Sequence, residues 1–98
     1  MRELEKEAIR RAEDELATLA EALAASGHTY QDPEIENWSS DPADYASELR
    51  VMILRDGEID DVLEFHVFLN GEPQVSGVQV AEWIRSQLLA ILREGKGK

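Results

Sequence analysis

Glu64 and His66 are separated by a single residue. A carboxylate beside an imidazole is a minimal set for moving protons near neutral pH. On an extended strand that spacing puts both side chains on one face. The same groups could supply two ligands to a metal ion, but a site needs a third, and the other histidine, His28, lies far along the chain. With Arg50 on a neighbouring strand, the pair reads most simply as an exposed cross-strand network worth about 0.2–1 kcal/mol.

The second candidate is the stretch RDGEIDD, Arg55 to Asp61, with four acids around one glycine. A calcium loop of the helix–loop–helix type needs glycine at its sixth position and a bidentate glutamate at its twelfth. Counted from Asp56, those positions hold Asp61 and Val67. No metal is therefore expected, and the acids are assigned to the solvated tip of a β-hairpin. Ser26, Ser39, Ser40, Ser47, Ser76 and Ser86 stand in no G-x-S-x-G elbow. Neither GxGxxG nor GxxxxGK[ST] occurs, so no phosphate loop and no nucleotide cofactor is expected. The chain has no cysteine, which removes disulfides, thiolate metal ligands and cysteine nucleophiles. No complete set of catalytic roles emerges, and a non-catalytic protein is expected.

The formal net charge is −11 over 98 residues, unevenly spread. Residues 27–48 carry six acids and no base, whereas residues 76–98 carry two acids and four bases. Such a field repels phosphate backbones, so direct nucleic-acid binding is disfavoured, while a basic protein partner is attracted. No apolar run approaches the ~20 residues that span a bilayer. The charged first segment, MRELEKEAIRRAEDE, is unlike a secretory signal, and a cytoplasmic location is the expectation.

The elements that must position these groups follow from periodicity. One domain is expected over residues 1–98, with 95–98 a frayed tail. Leu4, Ala8, Ala12, Leu16, Leu19, Ala20 and Leu23 recur at helical spacing, which predicts a helix over 3–25 ended by Gly27. An irregular edge strand is expected over 34–39 between Asp32-Pro33 and Asp41-Pro42. Residues 47–70 read as two strands. A two-residue turn at Asp56-Gly57 would pair Ile53 with Asp60 and Leu49 with Glu64, placing acids on the core face. A longer loop over 56–60 is expected instead. It pairs Ile53 with Leu63, Val51 with Phe65 and Leu49 with Val67, and on the other face Leu54 with Val62, Met52 with Glu64 and Arg50 with His66. A short edge strand over 72–75 follows the turn signal Asn70-Gly71. Ser76 and Gln79 stand at capping-box spacing, with Val75 and Val80 as its staple, opening a helix over 77–94 whose Val80, Ala81, Ile84, Leu88 and Ile91 face the core. The fold class is α+β: an N-terminal helix, three or four antiparallel strands in a meander and a C-terminal helix, with both helices on one face of the sheet.

Two helices cover only one side of a sheet. Met52, Leu54, Val62 and Phe68 are expected on the other side, forming an apolar surface suited to association. A two-fold homodimer, by face or by edge, is the leading expectation. The competing arrangement folds segment 28–46 and Trp38 over that face. Two other functions are weighed. One is a small-molecule binding module with a pocket lined by Tyr30, Trp38, Phe65 and Trp83. The other is an acidic mimic of nucleic acid that occupies a basic partner.

Overall fold

The computed structural model describes residues 2–39 and 41–96. The elements are α1 (Glu3–Ala25), β1 (His28–Tyr30), β2 (Glu34–Ser39), β3 (Ala46–Arg55), β4 (Glu58–Leu69), β5 (Glu72–Pro73) and α2 (Gly77–Lys96). They form the α+β arrangement expected, with an antiparallel meander and both helices packed against it.

Both helices end where their capping chemistry dictates. In α1 the Glu5 carboxylate accepts the Arg2 amide at 2.7 Å, and Ala8, Ala12, Leu16 and Leu23 are fully buried. Gly27 takes a left-handed φ of 84° and donates its N–H to Ala24 O at 3.0 Å. At the start of α2, Ser76 N donates to Gln79 Oε1 at 2.9 Å and Gln79 N to Ser76 Oγ at 3.3 Å, a reciprocal capping box. Val80, Ile84 and Leu88 are fully buried. The helix continues to Lys96, beyond the expected end at Glu94; of the expected frayed tail, residues 97 and 98 lie outside the described residues. Across the helix pair, Arg85 donates to both oxygens of Glu15, at 3.0 and 2.7 Å.

The sheet holds a strand that periodicity did not announce. β1 and β2 lie end to end along one edge of β3, His28 opposite Arg55 and Glu34 opposite Arg50. From Tyr30 to Glu34 the outer chain uses one residue more than β3 does between Ile53 and Arg50. The excess falls at Asp32-Pro33, where proline has no N–H to contribute to the ladder. Segment 28–39 therefore widens the sheet and does not fold over its open face.

The hairpin differs from the expected register. Arg55 pairs with Glu58, so the turn is the two-residue Asp56-Gly57 and no loop over 56–60 forms. Both turn residues have positive φ, 54° and 82°, as a type I′ turn requires. The conflict with the hydrophobic pattern is resolved by a bulge. Leu54 pairs with Ile59 and Ile53 with Asp61, leaving Asp60 unpaired. Beyond it Val51 faces Leu63 and Leu49 faces Phe65, each pair shifted by two residues from expectation, which preserves the faces. Burial of an aliphatic side chain here contributes about 1.5–3 kcal/mol, so the pattern cannot yield. The turn need not yield either, because one extra residue absorbs the mismatch.

A second bulge corrects another expectation. His66 pairs with Glu48 but Phe68 pairs with Ser47, leaving Val67 unpaired. Phe68 is thereby rotated to the helix side of the sheet, where it is buried and packs edge-on against Tyr45 with ring centroids 5.6 Å apart. Phe68 does not share a face with Met52, Leu54 and Val62.

Candidate functional site

The face of the sheet turned away from the helices is a grid built by β1–β2, β3 and β4. Cross-strand pairing gives its rows: Thr29, Leu54 and Ile59; then Met52 and Val62; then Glu34, Arg50 and Glu64; then Glu36, Glu48 and His66. Gln31 joins the second row through its N–H to Met52 O at 3.0 Å. Past the last row Trp38 meets His66 edge-on, with centroids 5.1 Å apart at 78°. Those two rings belong to the strands on either side of β3, so their contact spans β3 beside Glu48 and Ala46. The grid has an apolar half, where Met52, Leu54 and Val62 are partly exposed and Ile59 is 58% exposed, and a charged half with four carboxylates around one guanidinium.

Arg50 organises the charged half. Its Nη1 donates to Glu36 Oε2 at 2.6 Å and its Nη2 lies 3.7 Å from Glu64 Oε1. Glu48 is only 5% exposed. Burial pushes its carboxyl up to about 7, Glu64 beside it adds to the rise by sharing a proton and by repulsion, and the Arg50 charge only partly offsets both. Chemically Glu48 can hold or release a proton near neutral pH, and the two carboxyls together can accept a cation in the proton's place.

Two other polar clusters have structural roles. Glu5 is fully buried and accepts the Tyr45 hydroxyl at 2.7 Å as well as the Arg2 amide. Burial alone would raise its pKa, but the hydrogen bonds from Tyr45 and Arg2 stabilise the anion and hold it below the usual carboxylate value. The Arg2 guanidinium stacks 4.1 Å above the Tyr45 ring. At the hairpin end, His28 is 1% exposed and lies between Ser26 Oγ, 3.0 Å from Nδ1, and Asp60 Oδ2, 3.3 Å from Nε2. Serine, histidine and aspartate in line resemble a nucleophile relay, but the serine and the imidazole each have a further partner. Ser26 Oγ is also 3.0 Å from Leu23 O, and Arg55 Nη2 is 3.1 Å from His28 Nε2. In the tautomer with Nδ1 protonated, Nδ1–H donates to Ser26 Oγ, Ser26 donates to the helix carbonyl and Arg55 donates to Nε2, so Asp60 makes no hydrogen bond to the ring. The serine proton then has no base to receive it.

The structure brings together part of what the sequence suggested. Glu64, His66 and Arg50 do share a face, with Arg50 opposite Glu64 and not opposite His66. The aromatic pocket is not assembled. Phe65 and Trp83 pack on the helix side at 4.5 Å between centroids, and Tyr30 contacts the same core, whereas Trp38 is half exposed on the other face. Trp38 opens with Asn37, Ser39 and Tyr45 onto a shallow depression of its own. The residues that sequence reasoning missed are Glu36 and Glu48. Their signal was available, since Glu34 and Glu36, like Glu48 and Arg50, alternate at strand spacing.

Among the described residues no cluster of three or more histidine and acidic side chains has a geometry that could hold a metal ion. No helix among them is long and apolar enough to cross a membrane. No protein-family model, curated protein sequence or solved structure matches the chain.

Proposed function

We propose that the protein acts by association, its open sheet face receiving a basic and partly apolar segment of another protein. The observation that carries this is the grid: four glutamates and one arginine stand beside a strip of partly exposed aliphatic side chains, and among the described residues no helix or strand lies over them, the Trp38–His66 contact closing only one end. An isolated charge on a sheet face is ordinary, but Glu48 is held nearly dry beside a second carboxylate, an arrangement that opposes folding unless an added cation relieves it. A second copy of the chain would bring the same acids against themselves, which favours a basic partner over the homodimer.

The test is a titration with a short oligolysine at low and moderate salt. Binding should weaken steeply with salt and should fall about tenfold or more in a Glu36→Lys/Glu64→Lys variant. A Glu13→Lys/Glu21→Lys variant makes the same change in net charge on exposed positions of α1 and should bind as the parent does. Equal loss in both variants would mean that net charge alone attracts the probe, and the proposal would fall. Sedimentation of the unmixed parent as a dimer would replace the basic partner by a second copy.

A further inference from the structure

We infer that the outer edge of β4 from Asp61 to His66 takes up an extended basic segment as an added strand. This rests on the association proposed above and specifies how it is made. β5 pairs only with Phe68 and Leu69 of β4, and Gln74 N reaches Val67 O at 2.9 Å. Among the described residues no further backbone hydrogen bond from another element reaches the outer side of residues 61–66. In an antiparallel ladder alternate residues turn N–H and C=O away from the existing partner. The Val62 N–H is held only by the carboxylate of its own neighbour, Asp61 Oδ1 at 2.9 Å. Asp61, Glu64 and His66 are exposed, so an incoming chain meets no cover. Such an edge is a template for strand addition.

The chemistry of the occupant follows from the rows. Across the sheet the third row runs Glu34, Arg50, Glu64, negative, positive, negative. A lysine or arginine placed next beyond Glu64 continues the alternation, while a second copy of β4 would set acids of both strands close together. The row below ends in Val62, so the residue beside it is apolar. Those two partner positions lie on one face and are therefore two residues apart. The segment thus carries a base and an aliphatic residue separated by one position. Acids flanking this edge, Glu58 and Asp60, repel identical chains and strengthen the selection for bases. The Asp60 bulge ends the usable edge on that side.

The probe is a blocked peptide of repeated Lys-Thr-Val-Thr, tested beside an analogue N-methylated throughout, which keeps the charges and loses every amide donor. We expect the parent peptide to bind and to slow hydrogen exchange at Val62, Glu64 and His66, with the methylated analogue at least tenfold weaker. Equal binding of the two peptides, with amide shifts centred on Glu36 and Trp38, would overturn strand addition while leaving association through the face intact. Binding by neither peptide would overturn both. Protection of those amides in the free protein, together with a dimeric mass, would show the edge already filled by a second copy and would also overturn the inference.

Discussion

Replacing Glu48 by glutamine should stabilise the protein at alkaline pH and leave it nearly unchanged at acid pH. The side chain is 5% exposed and its carboxyl is raised from the ordinary 4.5 to about 7. A folded-state pKa above the unfolded value means that the native chain holds the proton more tightly. The resulting stability is fully present below pH 4.5 and is lost as the pH rises through 7. A shift of this size corresponds to about 3 kcal/mol between those limits. That is a large share of the 5–15 kcal/mol typical of a domain. Glutamine keeps the shape, carries no charge, and can donate its amide to Glu64 in place of the shared proton. Urea unfolding of parent and Glu48→Gln should therefore give curves of stability against pH that coincide near pH 4.5 and diverge to about 2–3 kcal/mol by pH 8. Glu64→Gln should reduce the same slope without abolishing it, because burial of Glu48 is the larger cause of the rise. Curves that run parallel from pH 5 to 8 would show that the Glu48 carboxyl is not raised in the folded chain, and the account of the grid would fail with them.

At the acid end the slope should reverse. Glu5 and Glu15 have lowered pKa values, so the stability they add is present above the usual carboxylate range and is lost as pH falls, which places the parent's maximum between about pH 5 and 6 by urea unfolding. Phe68→Ala should cost about 3–5 kcal/mol, as a buried aromatic does, whereas Ile59→Ser, on a residue 58% exposed, should stay within about 0.5 kcal/mol; near-neutral behaviour of Phe68→Ala would remove the bulge at Val67. Gly57→Ala should cost about 1 kcal/mol although a methyl meets no atom within 4 Å, because φ is 82° there. Tyr45→Phe leaves Glu5 short of a donor in a dry site and should cost about 1.5–3 kcal/mol by thermal or urea unfolding.

Much of the architecture was legible because local rules and global packing agreed. The alanine–leucine stripe and Gly27 gave α1 its bounds, and Ser76 with Gln79 gave α2 its start. The hairpin was misread where two sound rules conflicted. Asp56-Gly57 asks for a tight turn and the aliphatic alternation asks for a different register, and an unbulged ladder satisfies only one of them. An unpaired Asp60 satisfies both, and a bulge leaves no compositional mark. The same blindness placed Phe68 on the wrong face, since period-two counting fails beyond Val67. β1 escaped because three residues are too few to show periodicity. For the site, the sharing of a face by Arg50, Glu64 and His66 was legible within one hairpin. The alternation of Glu34 and Glu36 was legible too, but not their place beside Arg50, because that depends on which strand lies across β3.

The placement of the acids separates those the fold explains from those it does not. At the hairpin tip Asp56 adopts the left-handed turn, Asp60 is the extra residue of the bulge, 3.3 Å from His28 Nε2, and Asp61 holds the Val62 amide. Each has a local reason, which is why the cluster needed no metal to account for it. Glu5 and Glu15 satisfy a helix start and a helix pair. Glu48 has no such reason. It is buried beside another carboxylate on the open face, and an apolar or amide side chain of similar size would serve stability better at neutral pH. Sequences break the rules of stability chiefly where something other than folding is being served. Local folding therefore accounts for the acids at the ends of the molecule, while the one in the middle of the sheet opposes it, which points to the open face, and the edge that continues its rows, as the working surface.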